Sequence, residues 1–424
     1  MKILVIGGGG REHAIVWKLS QSRLVDKIYC TPGNAGISEI AECIEIGQND
    51  FDALIDFVKY EWIDLTIVGP EEPLARGIAD VFKKEGRLIM GPTKNGAMIE
   101  ASKSFSKDFM RRYGIPTAEY RVFTSYLQAE DYIRLKGLPL VIKADGLAAG
   151  KGVFVVETIE EALDALRLIM KERAFGSAGD KVVIEQCLRG EEASFMAFID
   201  GTTIVPMPSS QDHKRVFDGD LGPNTGGMGA YSPAPVITEA LQKEVMDKVM
   251  RRALRGFKKE GIDYKGVLYA GLMIVDGKPF VLEFNCRMGD PETQPVLSRL
   301  DSDFAEIALK VAEGNLKDAN IRWKEDASVC VVIASGGYPG KYEKSIPISG
   351  IDEAIKTEGV MVFHAGTSFH NGELVTSGGR VLGVTAIGKD IKTARDRAYE
   401  ACSKIYFKGM HYRKDIAEKA LRRL

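Results

Sequence analysis

Three polar residues alternate with apolar ones in the run Phe280-Val281-Leu282-Glu283-Phe284-Asn285-Cys286-Arg287. Side chains of a strand point to opposite faces in turn, so Glu283, Asn285 and Arg287 share one face and Leu282, Phe284 and Cys286 the other. The apolar face reads as core. The polar face is either solvated surface or a site for a divalent cation and a phosphate. A carboxylate and an amide carbonyl are hard oxygen donors, and a guanidinium presents a planar fork to phosphoryl or carboxylate oxygens.

The stretch V-I-K-A-D-G-L-A-A-G-K-G-V-F-V-V, Val141 to Val156, has the look of a phosphate loop. A P-loop, G-x-x-x-x-G-K-[ST], must open a helix whose amides cradle phosphates, with the hydroxyl on magnesium. Here only three residues separate Gly146 from Gly150, Gly152 stands in place of the hydroxyl, and Val153, Val155 and Val156 favour a strand. Strand, glycine loop, strand is the economical reading: an ordinary hairpin, or a flexible cover over a ligand.

Gly7-Gly8-Gly9-Gly10-Arg11-Glu12-His13 begins like the dinucleotide fingerprint G-x-G-x-x-G, but Glu12 replaces the third glycine. The next strand runs into Thr31-Pro32-Gly33-Asn34-Ala35-Gly36 without a ribose-binding acid, which argues against a nicotinamide cofactor. A glycine loop before a helix still suits a single phosphate, since its amides and the helix dipole favour an anion. Glu71, in V-G-P-E-E-P, stands at another strand end, either to accept from ribose hydroxyls or to stabilise a helix N-terminus. Lys103 falls in the first turn of a helix opened by Ser102, where a cation opposes the dipole and a ligand-facing role is favoured.

Positioning these groups takes several elements. Apolar runs at Ile3 to Ile6, Lys27 to Cys30, Leu65 to Val68 and Leu88 to Met90 alternate with helical spacings, Phe51, Leu54, Ile55 and Val58, then Leu74, Ile78 and Val81 after Pro73. That is a doubly wound parallel sheet, with ligands expected at the carboxyl ends of its strands. Phe105, Phe109 and Tyr113 form one stripe of the helix after Ser102. A helix from Ile159 to Met170 and strands Val182 to Gln186 and Pro279 to Asn285 mark the centre. Strands Val329 to Ala334, Val360 to Phe363 and Arg380 to Ile387, with a helix through Ala394, Ala398, Cys402 and Ile405, form a mixed C-terminal domain.

A chain of 424 residues implies two to four domains. A net charge of −2 gives no reason to expect nucleic acid. No apolar run reaches membrane-spanning length, and the first strand enters its glycine loop too soon for a signal peptide, so the expected location is the cytoplasm, away from membranes. The six cysteines lack C-x-x-C spacing and read as buried thiols, and the five histidines form no ligand-like pair.

The quoted runs together are specific. I-G-G-G-G-R-E-H-A (Ile6 to Ala14), T-I-V-G-P-E (Thr66 to Glu71), the Val141 to Val153 loop, S-Q-D-H-K-R (Ser210 to Arg215), G-P-N-T-G-G-M-G-A-Y-S-P (Gly222 to Pro233) and E-F-N-C-R-M-G-D-P-E-T-Q-P (Glu283 to Pro295) span almost the whole chain. In these the chain resembles the glycinamide ribonucleotide synthetase (phosphoribosylamine-glycine ligase) family of ATP-grasp ligases in purine biosynthesis. It departs from the family's pattern at Gly8, often asparagine, and Met288, commonly phenylalanine, without losing a charged candidate.

The resemblance implies an α/β and α+β multidomain ATP-grasp fold: an N-terminal domain over 1–101, an ATP-grasp region over 102–325 with a mobile lid at about 118–190, and a C-terminal domain over 326–424. It implies ATP with Mg2+ or Mn2+, glycine and 5-phosphoribosylamine as substrates, and transient contacts with neighbouring pathway enzymes. Lys103 and Lys143, with Gly146, Gly150, Lys151 and Gly152 of the lid, would hold ATP phosphates. Backbone at Glu185, Gln186 and Cys187 would hold adenine, and Glu192 the ribose. Glu283 and Asn285 would bind the metal. Arg287 and the amides from Asn224 through Thr225, Gly227 and Met228 to Gly229 would receive the transferred phosphoryl group or the glycine carboxylate. Asp212, His213 and Lys214 would line the acceptor site, with Asp212, Lys214 and Arg287 catalytic. The loop Gly8, Gly9 and Gly10, with Glu71, would hold the phosphoribosyl group. Rival readings are a carboxylating or formylating ATP-grasp enzyme, a nicotinamide oxidoreductase, and a non-catalytic nucleotide-binding module.

Overall fold

A computed structural model describes residues 1–147 and 152–423. Its N-terminal layer is a parallel sheet in the order Glu42–Cys43, Lys27–Pro32, Lys2–Gly7, Leu65–Val68, Ile89–Met90. Ile3 to Ile6 are fully buried, as a central strand covered on both faces requires. The spacing of Leu74, Ile78 and Val81 turns out to span two helices, Glu71–Arg76 and Ile78–Lys84, because Gly77 at φ +94° makes a left-handed turn between them. Only the edge strand Glu42–Cys43 lacks a sequence signal, being two residues long.

The centre contains two antiparallel sheets facing each other. The floor has the order Ile204–Pro206, Glu191–Asp200, Lys265–Val275, Lys278–Asn285. Opposite it stands a smaller sheet, Tyr120–Phe123, Val182–Gln186, Leu140–Ala144, Val153–Val156. The last two strands are the hairpin read from the sequence; Gly150 and Lys151 at its tip lie outside the described residues. Helices Tyr126–Lys136 and Ile159–Met170 cover one face, where Leu140, Ile142, Ala144, Val182 and Ile184 meet Ala129, Ile133, Ala162, Leu166 and Ile169 in a core of their own. Alternation therefore turns Val141, Lys143 and Glu185 toward the floor.

The third sheet crosses a boundary expected near residue 326. Its order is Gln211–Asp212, Gly229–Ser232, Ala327–Ala334, Arg380–Gly388, Val360–His364, backed by the helix Ile391–Lys404. Asp212 and Gly229 are thus strand residues of the C-terminal sheet, while Ser210 and Gln211 just before Asp212 also bond the floor strand at Ser194 and Glu192.

A bulge changes the strand that carries the polar face. Gly271 pairs with Glu283 and Leu272 with Val281, so Leu282 is an extra residue on the outer strand. Val281 enters the core in its place, and Leu282, expected in the core with Phe284 and Cys286, turns into the cavity beside Glu283.

The helix Lys103–Arg112 begins where its sequence indicates, with the Ser102 hydroxyl accepting from the Phe105 amide at 3.1 Å. Phe109 anchors it: the ring is fully buried and stacks on Phe257 at 5.0 Å. Phe109→Ala should cost about 3–5 kcal/mol through the cavity it leaves. Thermal unfolding checks this, and an unchanged midpoint would show that the stripe is not what seats the helix.

Candidate active site

Between the floor and the small sheet lies a cavity of about 510 Å³. Val141 and Val155 from above, and Met273 and Leu282 from below, make one end apolar and suited to a flat ring. Charged side chains from all three sheets crowd the other end.

Arg287 is the most heavily engaged. Its Nη2 lies 2.8 Å from the Glu100 carboxylate and its Nε 3.3 Å from that of Glu71, both on elements of the N-terminal layer. Glu100 also accepts from the Cys286 amide at 2.7 Å, so it fixes the end of the strand as well as the guanidinium. Burial pushes the Glu100 carboxyl above its ordinary range, against the pull of Arg287. Glu71 is half-buried, and desolvation opposes its charge, but Arg287 and Arg11 outweigh that and hold it below. Glu283, on the same wall, feels burial first and then Lys214, Lys143, Lys103 and Arg287, which together keep it ionised.

Lysines face this strand from both sides. Lys143 Nζ lies 2.9 Å from Glu185 Oε1, without the alignment of a hydrogen bond, and donates to the Leu282 carbonyl at 3.2 Å. Lys107 lies 2.7 Å from the other oxygen of Glu185, and burial lowers its ammonium to about 8. Lys103 donates to the Gly146 carbonyl at 2.9 Å, and burial lowers its pKa too. Asp145 accepts from the Ser104 amide and the Ser102 hydroxyl, both at 3.0 Å, docking the base of the glycine loop on the helix N-terminus.

At the far end Lys214 bonds Glu192 at 2.7 Å. Burial raises Asp212 to about 7, partly offset by Lys214 and reinforced by Glu292 and Glu192. Glu292 is buried and accepts from Tyr269 at 2.5 Å and Ser194 at 3.1 Å.

Most residues singled out in the sequence meet here: Glu71, Lys103, Lys143, Gly146, Gly152, Glu185, Gln186, Cys187, Glu192, Asp212, Lys214, Asn224, Thr225, Glu283, Asn285 and Arg287 all line the cavity. His213 does not. Its ring packs on Tyr231 at 5.9 Å, neither nitrogen has a partner, and burial, helped by Arg413 and Lys419, lowers it to about 3. His213 follows the strand Gln211–Asp212, and its backbone, bonded to Gly229 on one side and Met228 on the other, turns its ring away from the side that Asp212 and Lys214 face, which corrects its expected place in the acceptor site.

Gly227 and Met228 also lie behind the wall. The amides of Gly226, Gly227 and Met228 already donate to the Tyr338 hydroxyl, the Thr225 hydroxyl and the His213 carbonyl, so this loop offers Asn224 and Thr225 in place of the expected run of amides. Gly8, Gly9 and Gly10 border the cavity without lining it. A β-carbon on Gly8 would lie 2.4 Å from the Gly33 carbonyl, and one on Gly9 would lie 3.6 Å from Asp290, which does line it. The Gly9 amide donates to Glu12 at 2.7 Å, so part of this loop's donor set is occupied from within.

Sequence reasoning passed over Glu100, Lys107, Glu292, Asp290 and Arg380. Asp290 and Glu292 sit inside the quoted E-F-N-C-R-M-G-D-P-E run and were within reach. Glu100 and Lys107 occupy ordinary helical positions, which no local pattern distinguishes.

Among the described residues no cluster of three or more His, Cys, Asp or Glu is arranged to hold a metal ion. Glu283 and Asn285 supply two hard oxygen donors, the usual protein share of a magnesium site completed by phosphates and water.

Three family matches cover the chain: the phosphoribosylglycinamide synthetase N domain over residues 1–100, its ATP-grasp (A) domain over 101–293 and its C domain over 328–419. The phosphoribosylamine--glycine ligase of Caldanaerobacter subterraneus subsp. tengcongensis is 51% identical over 417 residues, covering 98% of this chain and 99% of its own. That of Escherichia coli O6:H1 is also 51% identical, over 427 residues, covering 100% of this chain and 99% of its own. The solved Thermotoga maritima phosphoribosylamine--glycine ligase superposes with a TM-score of 0.84 at 36% identity, covering 98% of this chain and all of that one. A biotin carboxylase domain from Hydrogenobacter thermophilus, solved with MgADP, shares the fold at a TM-score of 0.74 and 16% identity, covering 97% of this chain and 91% of its own. With N, ATP-grasp and C domains matched in order along almost its whole length, the chain belongs to the phosphoribosylglycinamide synthetase family.

Proposed function

We propose that the protein uses ATP to join glycine to 5-phosphoribosylamine in cytoplasmic purine biosynthesis, releasing glycinamide ribonucleotide, ADP and phosphate. One observation carries the reading: in a chain of this family, a single cavity joins an apolar slot for a base, lysines from the helix Lys103–Arg112 and from the small sheet above, and the Glu283, Asn285 and Arg287 wall.

The difficulty is glycine's carboxylate, whose leaving group would be oxide. Moving the γ-phosphoryl group of ATP onto one carboxylate oxygen breaks the bond to the β-phosphate and forms glycyl phosphate, from which phosphate departs readily. Lys103 and Lys143 neutralise the triphosphate, and Arg287 stabilises the charge on the transferring group. Glu283 and Asn285 would hold Mg2+ or Mn2+, which supplies further positive charge at those phosphates. The amine of phosphoribosylamine then attacks the acyl carbon, expelling phosphate, while the Asp212 carboxylate takes the amine's proton and Lys214 keeps that carboxylate charged. Glu71 and the rim at Gly8 to Gly10 receive the phosphoribosyl group. The hairpin closing from above excludes water that would destroy the acyl phosphate.

ADP should appear only when glycine and freshly made phosphoribosylamine are both supplied. Turnover with bicarbonate or formate in place of glycine would instead favour a carboxylating or formylating activity.

Two variants divide the Glu283 to Arg287 wall. Glu283→Gln keeps the shape but loses charge, so half-saturating magnesium should rise by about tenfold, and excess metal should restore part of the rate. Arg287→Lys keeps charge but loses the fork, so a defect of about 100-fold in kcat should persist at saturating magnesium. Full rescue of both by metal would remove Arg287 from the chemistry.

As a base, Asp212 must be ionised. With its carboxyl raised to about 7, kcat/KM for phosphoribosylamine should climb through that pH and level off above it. Asp212→Asn should abolish the limb together with most of the rate. A limb that survives the substitution belongs to another group.

A further inference from the structure

The hairpin Arg215–Phe217 with Leu221–Asn224 stands between two pairs of cavity residues, Asp212 and Lys214 before it, Asn224 and Thr225 at its end. Its two strands pair with each other alone, and Phe217 and Leu221 are 51% and 65% exposed. Its one buried apolar side chain is Val216, which packs on Met228 and Ala334, and a two-stranded hairpin with so small a core beneath it is marginal in water. Its base is cross-linked, the Thr225 amide and hydroxyl both donating to the Lys214 carbonyl at 2.8 Å. Its tip is held by something else.

That something is the end of the chain. Arg413 is fully buried and grips Asp415 with both arms of its fork, at 2.7 and 2.6 Å. Its remaining nitrogen donates to the Arg215 carbonyl at 3.0 Å and to Asp220 at 2.9 Å. Asp415 in turn accepts from the Gly219 amide at 2.9 Å, and Asp218 accepts from the Lys414 amide at 2.8 Å. Lys419 reaches Asp220 at 2.5 Å, and His411 Nε2 donates to the Val216 carbonyl at 2.9 Å. Arg423 donates to Glu191, the neighbour of Glu192, at 2.9 Å. Strand carbonyls and both acids of the turn, Asp218 and Asp220, are thereby bonded to residues 411–423.

We propose that residues 411–423 form a clasp that sets the position of Asp212, Lys214, Asn224 and Thr225, with Arg413 as its positioning residue. None of the clasp's own side chains lines the cavity. The inference rests on the assignment of those four residues to the glycine and acceptor end. The apolar slot for the base is built by the floor and the small sheet, and the clasp reaches the ribose residue Glu192 only through Lys214 and Glu191, so it bears on glycine and acceptor far more than on ATP.

The test uses the full chain with Arg413→Met, Arg413→Lys and Asp218→Ala, the last removing an exposed partner of the Lys414 amide. Steady-state KM for ATP, glycine and phosphoribosylamine and kcat are measured, with circular dichroism and thermal unfolding as checks on the fold. Arg413→Met should lower kcat/KM for glycine and acceptor at least tenfold and leave KM for ATP within twofold. Arg413→Lys should recover part of the loss, and Asp218→Ala should show the same pattern more weakly. Folded variants with unchanged constants, or with ATP and glycine constants falling together, would overturn the clasp. Should Arg413→Met fail to fold, Asp218→Ala decides by the same criteria. Failure of the functional reading is seen separately, as wild-type ADP release that does not need glycine and phosphoribosylamine.

Discussion

Arg287 is always protonated, and the wall it stands in is too dry to leave it without an anion. The N-terminal layer supplies two, Glu71 and Glu100, and the chain is folded around that need. Glu100 sits at the end of the helix Lys94–Ala101, so the parallel sheet must pack where that helix can reach the strand end at Cys286. Lys107 and Lys143 meet the same requirement through Glu185, and Lys214 meets it through Glu192. Apart from Lys143 with Glu185, which join neighbouring strands of the small sheet, each pairing ties one layer to another, so the electrostatics of the cavity and the assembly of the domains are one problem.

Such pairing shapes what the cavity accepts. Acids and bases line it in near-equal number, so its field alone draws a triphosphate weakly. A nucleotide carrying its own divalent cation would fit better under the proposed assignment, in which Glu283 and Asn285 would receive the cation while the lysines would turn from protein carboxylates to phosphate oxygens. Arg287 faces the same exchange. An incoming glycine carboxylate or phosphoryl group would compete with Glu71, a weaker partner at 3.3 Å than Glu100 at 2.8 Å, and the guanidinium would keep one protein anchor while it served the ligand.

Much of this was legible in the sequence, and the failures have physical causes. Parallel strands buried on both faces announce themselves as apolar runs, and the hairpin declared itself through valines after a glycine loop. Alternation placed Glu283, Asn285 and Arg287 in one cavity, yet misjudged Leu282, because a bulge inserts one residue and a period of two cannot reveal it. The same rule, applied to Asp212, His213 and Lys214, would have turned His213 inward; reading the three as one site set the alternation aside. The long strands Glu191–Asp200 and Lys265–Val275 are also apolar runs buried on both faces, readable in the same way as the parallel strands though passed over. Glu100 and Lys107 were invisible because their meaning lies wholly in what another segment brings to them.

Two hairpins border the cavity, and they are held in opposite ways. The one from above carries glycines and is docked at its base by Asp145 through hydrogen bonds to Ser102 and Ser104. The one bearing Asp212 and Lys214 has acids in its turn, each bonded to the chain's end, and a fully buried arginine behind them. Chemistry asks for this difference. An acyl phosphate must be shielded, then its products released, which needs a cover that moves. Attack by a neutral amine needs its base and its electrophile at fixed separation, where a displacement of about 1 Å costs on the order of 100-fold in rate. A loop made rigid by distant residues meets that need without placing more charge in a cavity already balanced.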